Sequence, residues 1–153
     1  ATVLGLAIHH TELSGATLFL PDPSLLPLPE LPIVGRLTQA SGNEEIGAAF
    51  RLVRRHGAGG CLAIGLADGR HATVRSLADR LAAELTACEF PAERPLVLLV
   101  NTNVGKALGN YVTRWGRLNV TVLVLDELPD RGASFVTLGR PKGPVVPVSF
   151  YGL

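Results

Sequence analysis

Three apolar runs in this chain end in residues able to bind, cap or exchange a proton. The run Cys61 to Ala67 closes on Asp68, Leu96 to Val100 runs into Asn101, Thr102 and Asn103, and Val120 to Leu125 ends on Asp126 and Glu127. Gly105 and Lys106 stand two and three positions beyond Asn103. If these runs are neighbouring parallel strands, carboxylates, amides, an ammonium and free helix N–H groups gather along one sheet edge. The chemistry of such a set is recognition of a small polar ligand or an anion. The candidate binding residues are therefore Asp68, Asn101, Asn103, Gly105, Lys106 and Asp126. Each also has a structural reading, Asn103 as a helix N-cap and Asp68 as a turn residue.

Catalysis has less behind it. Asp126 and Glu127 offer carboxylates for acid–base work, but consecutive residues leaving a strand are expected to point to opposite sides. Ser14, Ser41 and Ser134 lack the frame of a nucleophile elbow. The segment NTNVGKAL is not a phosphate loop, because Val100 stands where Gly is required and Ala107 where Ser or Thr would hold magnesium. No GxGxxG follows any strand, and Gly57, Gly59 and Gly60 follow a helix, as a connector does. His9, His10, His56 and His71 have no metal-ligand spacing, and two cysteines are too few for a zinc site. No catalytic residue and no metal ligand is assigned. Cys61 and Cys88 sit in apolar patterns and read as buried thiols of a reducing cytoplasm.

The elements that must position these residues alternate in type. Pro95 to Asp126 reads as strand, polar turn, amphipathic helix and strand, one complete βαβ unit. A helix is expected from about Val104 to Trp115, with Leu108, Tyr111, Val112 and Trp115 facing inward. Upstream, Ser41 and Glu44 match a capping box ahead of a helix that ends near His56 and Gly57. Val74, Leu77, Ala78, Leu81, Leu85 and Cys88 mark one face of another helix. FVTLG and VVPVSFY close the chain and read as an antiparallel pair or as edge strands, since Pro147 would break a central ladder. A strand is expected near Ala16 to Leu20, and a less defined strand or helix before it. PDPSLLPLPELP carries five prolines in twelve residues and reads as an extended, partly polyproline linker whose leucines rest on a surface. The expected fold is α/β: three-layer, with a mostly parallel sheet, helices on both faces and carboxyl-terminal antiparallel edge strands.

The bulk numbers fit one compact domain. The chain has 153 residues, 47% of them apolar and only 18% charged, with a net charge of +1. So few charges, with positive mean hydropathy, point to apolar surface covered by a partner, another domain or a second copy. The scattered Arg and Lys give no basic stripe, so neither a nucleic acid nor an anionic membrane is an expected partner. No apolar run reaches the roughly 18 residues of a membrane helix, and no secretory leader is read. The chain starts at Ala1 and has no Met, from which an excised piece of a longer protein is expected.

ATVLGLAIHHTELSGATLFL, the proline-rich link, PLVLLVNTNVGKALGNYV, VTVLVLDEL and FVTLGRPKGPVVPVSF together resemble the carboxyl-terminal third of the EutA family, the reactivating factors of ethanolamine ammonia-lyase. The run Gly105 to Gly109, the strand end at Asp126 and Glu127, and the stretch Pro144 to Pro147 are its most specific points. The resemblance implies an ATP-dependent chaperone that releases damaged cobalamin from the inactivated adenosylcobalamin enzyme. It implies that residues 1–35 are the tail of an actin-like ATPase core plus a proline-rich linker, and residues 36–153 an appended α/β domain. ATP and Mg²⁺ would bind the amino-terminal part of the parent protein, with no cofactor in this segment. The implied partners are the lyase, the ATPase core and a second copy of the chain. The implied place is the cytoplasm, in association with a bacterial microcompartment. Where the family carries Glu-Gln-Asp, this chain has Asn101, Thr102 and Asn103, so two carboxylates are amides. The function expected is a non-catalytic domain of that reactivating chaperone. The alternative is a small-ligand or nucleotide-binding regulatory domain using the strand-end crevice.

Overall fold

A computed structural model describes residues 9–57 and 59–153. Seven strands and three helices follow one another as β1 (His9–Leu13), β2 (Leu28–Thr38), α1 (Asn43–Arg54), β3 (Gly60–Gly65), α2 (His71–Ala87), β4 (Leu96–Val100), α3 (Gly105–Val112), β5 (Val122–Leu125), β6 (Phe135–Leu138) and β7 (Pro147–Tyr151). The first eight residues, where a strand or helix was expected to begin, lie outside the described residues.

The strands form one sheet in the order β1-β7-β6-β2-β3-β4-β5. β2, β3, β4 and β5 are parallel neighbours, while β1, β7, β6 and β2 pair antiparallel. The sheet is thus mixed, not mostly parallel. The expected βαβ unit is present, and β3, β4 and β5 are buried on both faces apart from Gly65, as their unbroken apolar runs require.

Helices on both faces were expected, but all three pack in one core with Leu62, Ile64, Leu96, Leu98 and Val124. The cause is the strand order. It advances from β2 to β5 without reversing, and successive right-handed crossovers then leave every helix on the same side. The opposite face, with Cys61, Val97, Leu99, Leu123 and Leu125, packs on the sheet's own antiparallel half, including Val136, Val148 and Phe150. The sheet curls over itself, and that half replaces the second helix layer.

The carboxyl-terminal strands are not edge strands either. β6 lies between β2 and β7, and β7 lies between β6 and β1. The amino-terminal β1 takes the edge, with Leu13 opposite Pro147. At the other edge Phe19 forms an antiparallel bridge with Val124, its N–H donating to the Val124 carbonyl at 2.8 Å and its carbonyl accepting at 2.9 Å. The strand expected at Ala16 to Leu20 is reduced to this clasp.

The proline-rich stretch is structural. After a 3₁₀ turn at Pro23–Leu25, residues from Leu28 onward are β2. Leu28, Leu31 and Pro32 pair with β6, whereas pairing with β3 begins only at Ile33. Pro29 and Pro32 therefore sit where one side of the strand has no ladder to break. Leu26 and Leu31 are buried, so the leucines rest on the core as their spacing implied. Position 35 falls inside β2, and described residues on both sides of it share one sheet.

Three local expectations change. Ser41 does not cap α1; its hydroxyl accepts the Thr38 N–H at 2.9 Å, and Gly42 takes the N-cap without a side-chain bond. The left-handed glycine after α1 is Gly59, with φ +99°, not Gly57. Trp115, expected inside, is 61% exposed. α3 stops at Val112, and Arg114 and Trp115 take left-handed φ values of +53° and +57°, so helical spacing no longer sets the ring's direction. Trp115 stacks edge-on to Tyr111, with ring centroids 5.8 Å apart.

Candidate functional site

Asp126 leaves β5 fully buried, and its carboxylate organises the strand end. Oδ2 accepts the Gly105 N–H at 2.8 Å and the Thr17 hydroxyl at 2.6 Å. Gly105 is the first residue of α3, whose N-cap Val104 has no side chain to offer. Asp126 therefore caps that helix from the neighbouring strand, and its charge faces the positive end of the helix dipole. The Thr17 hydroxyl also touches the Asn103 amide. Asn103 reaches this loop instead of capping α3.

The loop Ser14 to Thr17 is stitched across the same end. The Gly15 N–H donates to the Asp126 carbonyl at 2.9 Å, and the Lys106 N–H donates to the Thr17 carbonyl at 2.7 Å. Two glycines allow the approach. A Cβ on Gly105 would lie 2.9 Å from both Asp126 Oδ2 and the Thr17 carbonyl oxygen. A Cβ on Gly15 would lie 2.0 Å from Glu127 Oε2 and 2.6 Å from Asp126 Oδ1.

The last observation overturns the expectation that Asp126 and Glu127 diverge. Glu127 has a left-handed φ of +58°, which ends the strand's alternation and turns its carboxylate back onto Gly15 beside that of Asp126. Neither carboxylate forms an ion pair among the described residues. Asp126 Oδ1 is buried with no hydrogen-bond partner, and so is Thr102 Oγ1.

The remaining candidates lie apart from this centre. Asn101 spends its amide on backbone: Oδ1 accepts the Leu66 N–H at 2.9 Å and Nδ2 donates to the Leu66 carbonyl at 3.0 Å. It extends the β3–β4 ladder past Gly65. Asp68 accepts the Arg70 N–H at 2.9 Å, and this bond together with the Thr73 hydroxyl holds its carboxyl below the usual aspartate range. Asp68 thus organises the turn entering α2. The Lys106 side chain lines an open hollow of about 510 Å³, with Phe19, Leu20, Asn110, Pro144 and Val145 among its walls.

The fold therefore brings together Asn103, Gly105, the Lys106 backbone and Asp126, and gives Asn101 and Asp68 to backbone structure. Sequence reasoning did not reach Gly15 and Thr17, because no local pattern ties residue 17 to residue 126. The arrangement offers two carboxylates to a hard cation, and it offers no nucleophile. Among the described residues no three His, Cys, Asp or Glu side chains converge as a metal site. None of their helices is long and apolar enough to cross a membrane. Burial pushes the Cys61 thiol well up, and Cys88 is half-buried, its thiol also raised by burial.

No curated protein and no solved structure matches this chain. A family model does, the one described as ethanolamine utilisation protein EutA, and it spans residues 1–153. The chain belongs to the EutA family.

Proposed function

We propose that this chain is the non-catalytic docking domain of an ATP-dependent chaperone that reactivates adenosylcobalamin-dependent ethanolamine ammonia-lyase by releasing damaged cobalamin. The observation that carries the reading is the family match along the whole chain, which ties it to ethanolamine utilisation. ATP and Mg²⁺ would act in an actin-like core elsewhere in the same protein. Residues 1–35 would continue from that core, and β1 and the 14–20 loop, built into the sheet here, would carry motion from the core into the domain. The partners are the lyase, the ATPase core and a second copy, in the cytoplasm beside a microcompartment. The test is co-purification of the full protein with the lyase, followed by recovery of lyase activity on adding ATP and intact cofactor. Binding with ATP-dependent recovery is expected. No binding in any nucleotide state removes the proposal.

A second reading uses the strand end as a regulatory small-ligand or nucleotide site, contacted by Asn103, Gly105, Lys106 and Asp126, with Asn101 and Asp68 at its margin. The open hollow beside Lys106 favours it. Calorimetry of the full protein with ATP, ADP and cobalamin tests it, with heats lost in Lys106→Ala. Heats unchanged by that substitution place any ligand elsewhere.

A further inference from the structure

Asp126 Oδ1 is the least explained atom in the chain. The residue is fully buried, Oδ2 has two donors and Oδ1 has none. A buried carboxylate oxygen left without a donor is costly unless something outside the chain satisfies it. Oδ1 points at the spot beside Gly15 that Glu127 Oε2 also approaches, both within 2.6 Å of where a Cβ would stand. No Lys, Arg or His pairs with either acid among the described residues. The dipole of α3 acts on Oδ2, through Gly105, and does nothing for the second charge.

We propose that Asp126 and Glu127 bind one hard divalent cation of the Mg²⁺ and Mn²⁺ class against the Gly15 turn. The donors are carboxylate oxygens alone, the set such ions select, and both crowd the same side of Gly15. Glu127 is exposed on its outer side, so the remaining positions open to water, as magnesium prefers. A side chain at position 15 would drive the Glu127 carboxylate off this spot. The ion would lock the 14–17 loop to the end of β5. The proposal is independent of the lyase partnership and of nucleotide.

The test uses the full protein, nucleotide-free and stripped with a chelator. Mn²⁺ is titrated and bound ion counted by electron paramagnetic resonance, while thermal melts are run with and without Mg²⁺. The wild type is expected to bind one Mn²⁺ more than E127Q, or to bind it at least about tenfold more tightly, and to melt higher with Mg²⁺ where E127Q does not. D126N keeps an oxygen for Gly105 and Thr17 and is expected to behave like E127Q. G15A, which displaces the Glu127 carboxylate without changing any charge, is expected to lose the ion as well. Equal Mn²⁺ stoichiometry and affinity in the wild type, D126N and E127Q overturns the proposal.

Discussion

Asp126 does at a distance what an N-cap does locally. The turn before α3 ends on Val104, whose side chain cannot accept a hydrogen bond, so the first helix N–H is met by a carboxylate from the next strand. Strand end, helix start and the Thr17 loop then depend on one residue. Asp126→Ala leaves the buried Gly105 N–H without its acceptor and the Thr17 hydroxyl with Asn103 alone. A cost of about 1–3 kcal/mol is expected, read by urea denaturation. Glu12 illustrates the opposite case, an acid at the surface. The Arg131 guanidinium, bonded at 2.8 Å, holds its carboxyl below the ordinary value of 4.5. A lowered folded value means that the contribution is complete above the unfolded value and is lost as pH falls through the folded one. The stability lead of wild type over Glu12→Gln is expected to be small at pH 7, given the pair's exposure, and absent at pH 2. Denaturation curves at the two pH values check it.

The 14–20 loop works as an element although it is scarcely regular. Phe19 closes the edge of β5 and lays its ring on α3 at Gly109, where a Cβ would stand 2.1 Å from the ring's Cγ. That overlap cannot be relieved while the clasp is closed. Gly109→Ala is expected to cost about 1–3 kcal/mol and to lift the clasp. Hydrogen exchange should show it first at the Val124 amide, which donates to the Phe19 carbonyl at 2.9 Å. This clasp also marks the limit of what the sequence discloses. Strands β3, β4 and β5 and helices α1 and α2 are legible because their apolar patterns are local and long. Phe19 on Gly109, Thr17 on Asp126 and the left-handed Glu127 join residues far apart in the chain, and no local period records them. Trp115 was misread for a related reason, since helical spacing holds only while the helix lasts.

At the scale of the molecule, the sheet has two halves of different character, and each supplies what the other lacks. The parallel half brings its helices to one face only, since its strand order never reverses. Its second face is apolar and must be covered. The antiparallel half does this by curling, and it draws strands from both ends of the chain: β1 and the first part of β2 from the amino-terminal side, β6 and β7 from the carboxyl-terminal side. Composition could suggest that apolar surface needs a cover, and much of that cover is internal. Among the described residues the large hydrophobics left exposed, Leu13, Leu52, Trp115, Phe135 and Leu153, come from separate parts of the chain. It follows that the residues before position 36 are not spare. Without them β7 loses its partner β1, β5 loses the Phe19 clasp, and Leu18, Leu20, Leu26, Leu31 and Ile33 leave the second core. At about 1.5–3 kcal/mol for each fully buried side chain, and less for the partly buried ones, these losses are comparable with the roughly 5–15 kcal/mol by which a domain is stable. A chain beginning at Arg36 is therefore expected not to fold cooperatively, with no sharp melting transition and with strong binding of a hydrophobic dye. A chain beginning at His9 keeps all of these contacts and is expected to melt sharply. The comparison of the two separates residues that merely connect from residues that complete the core, because only the second kind makes the shorter chain fail.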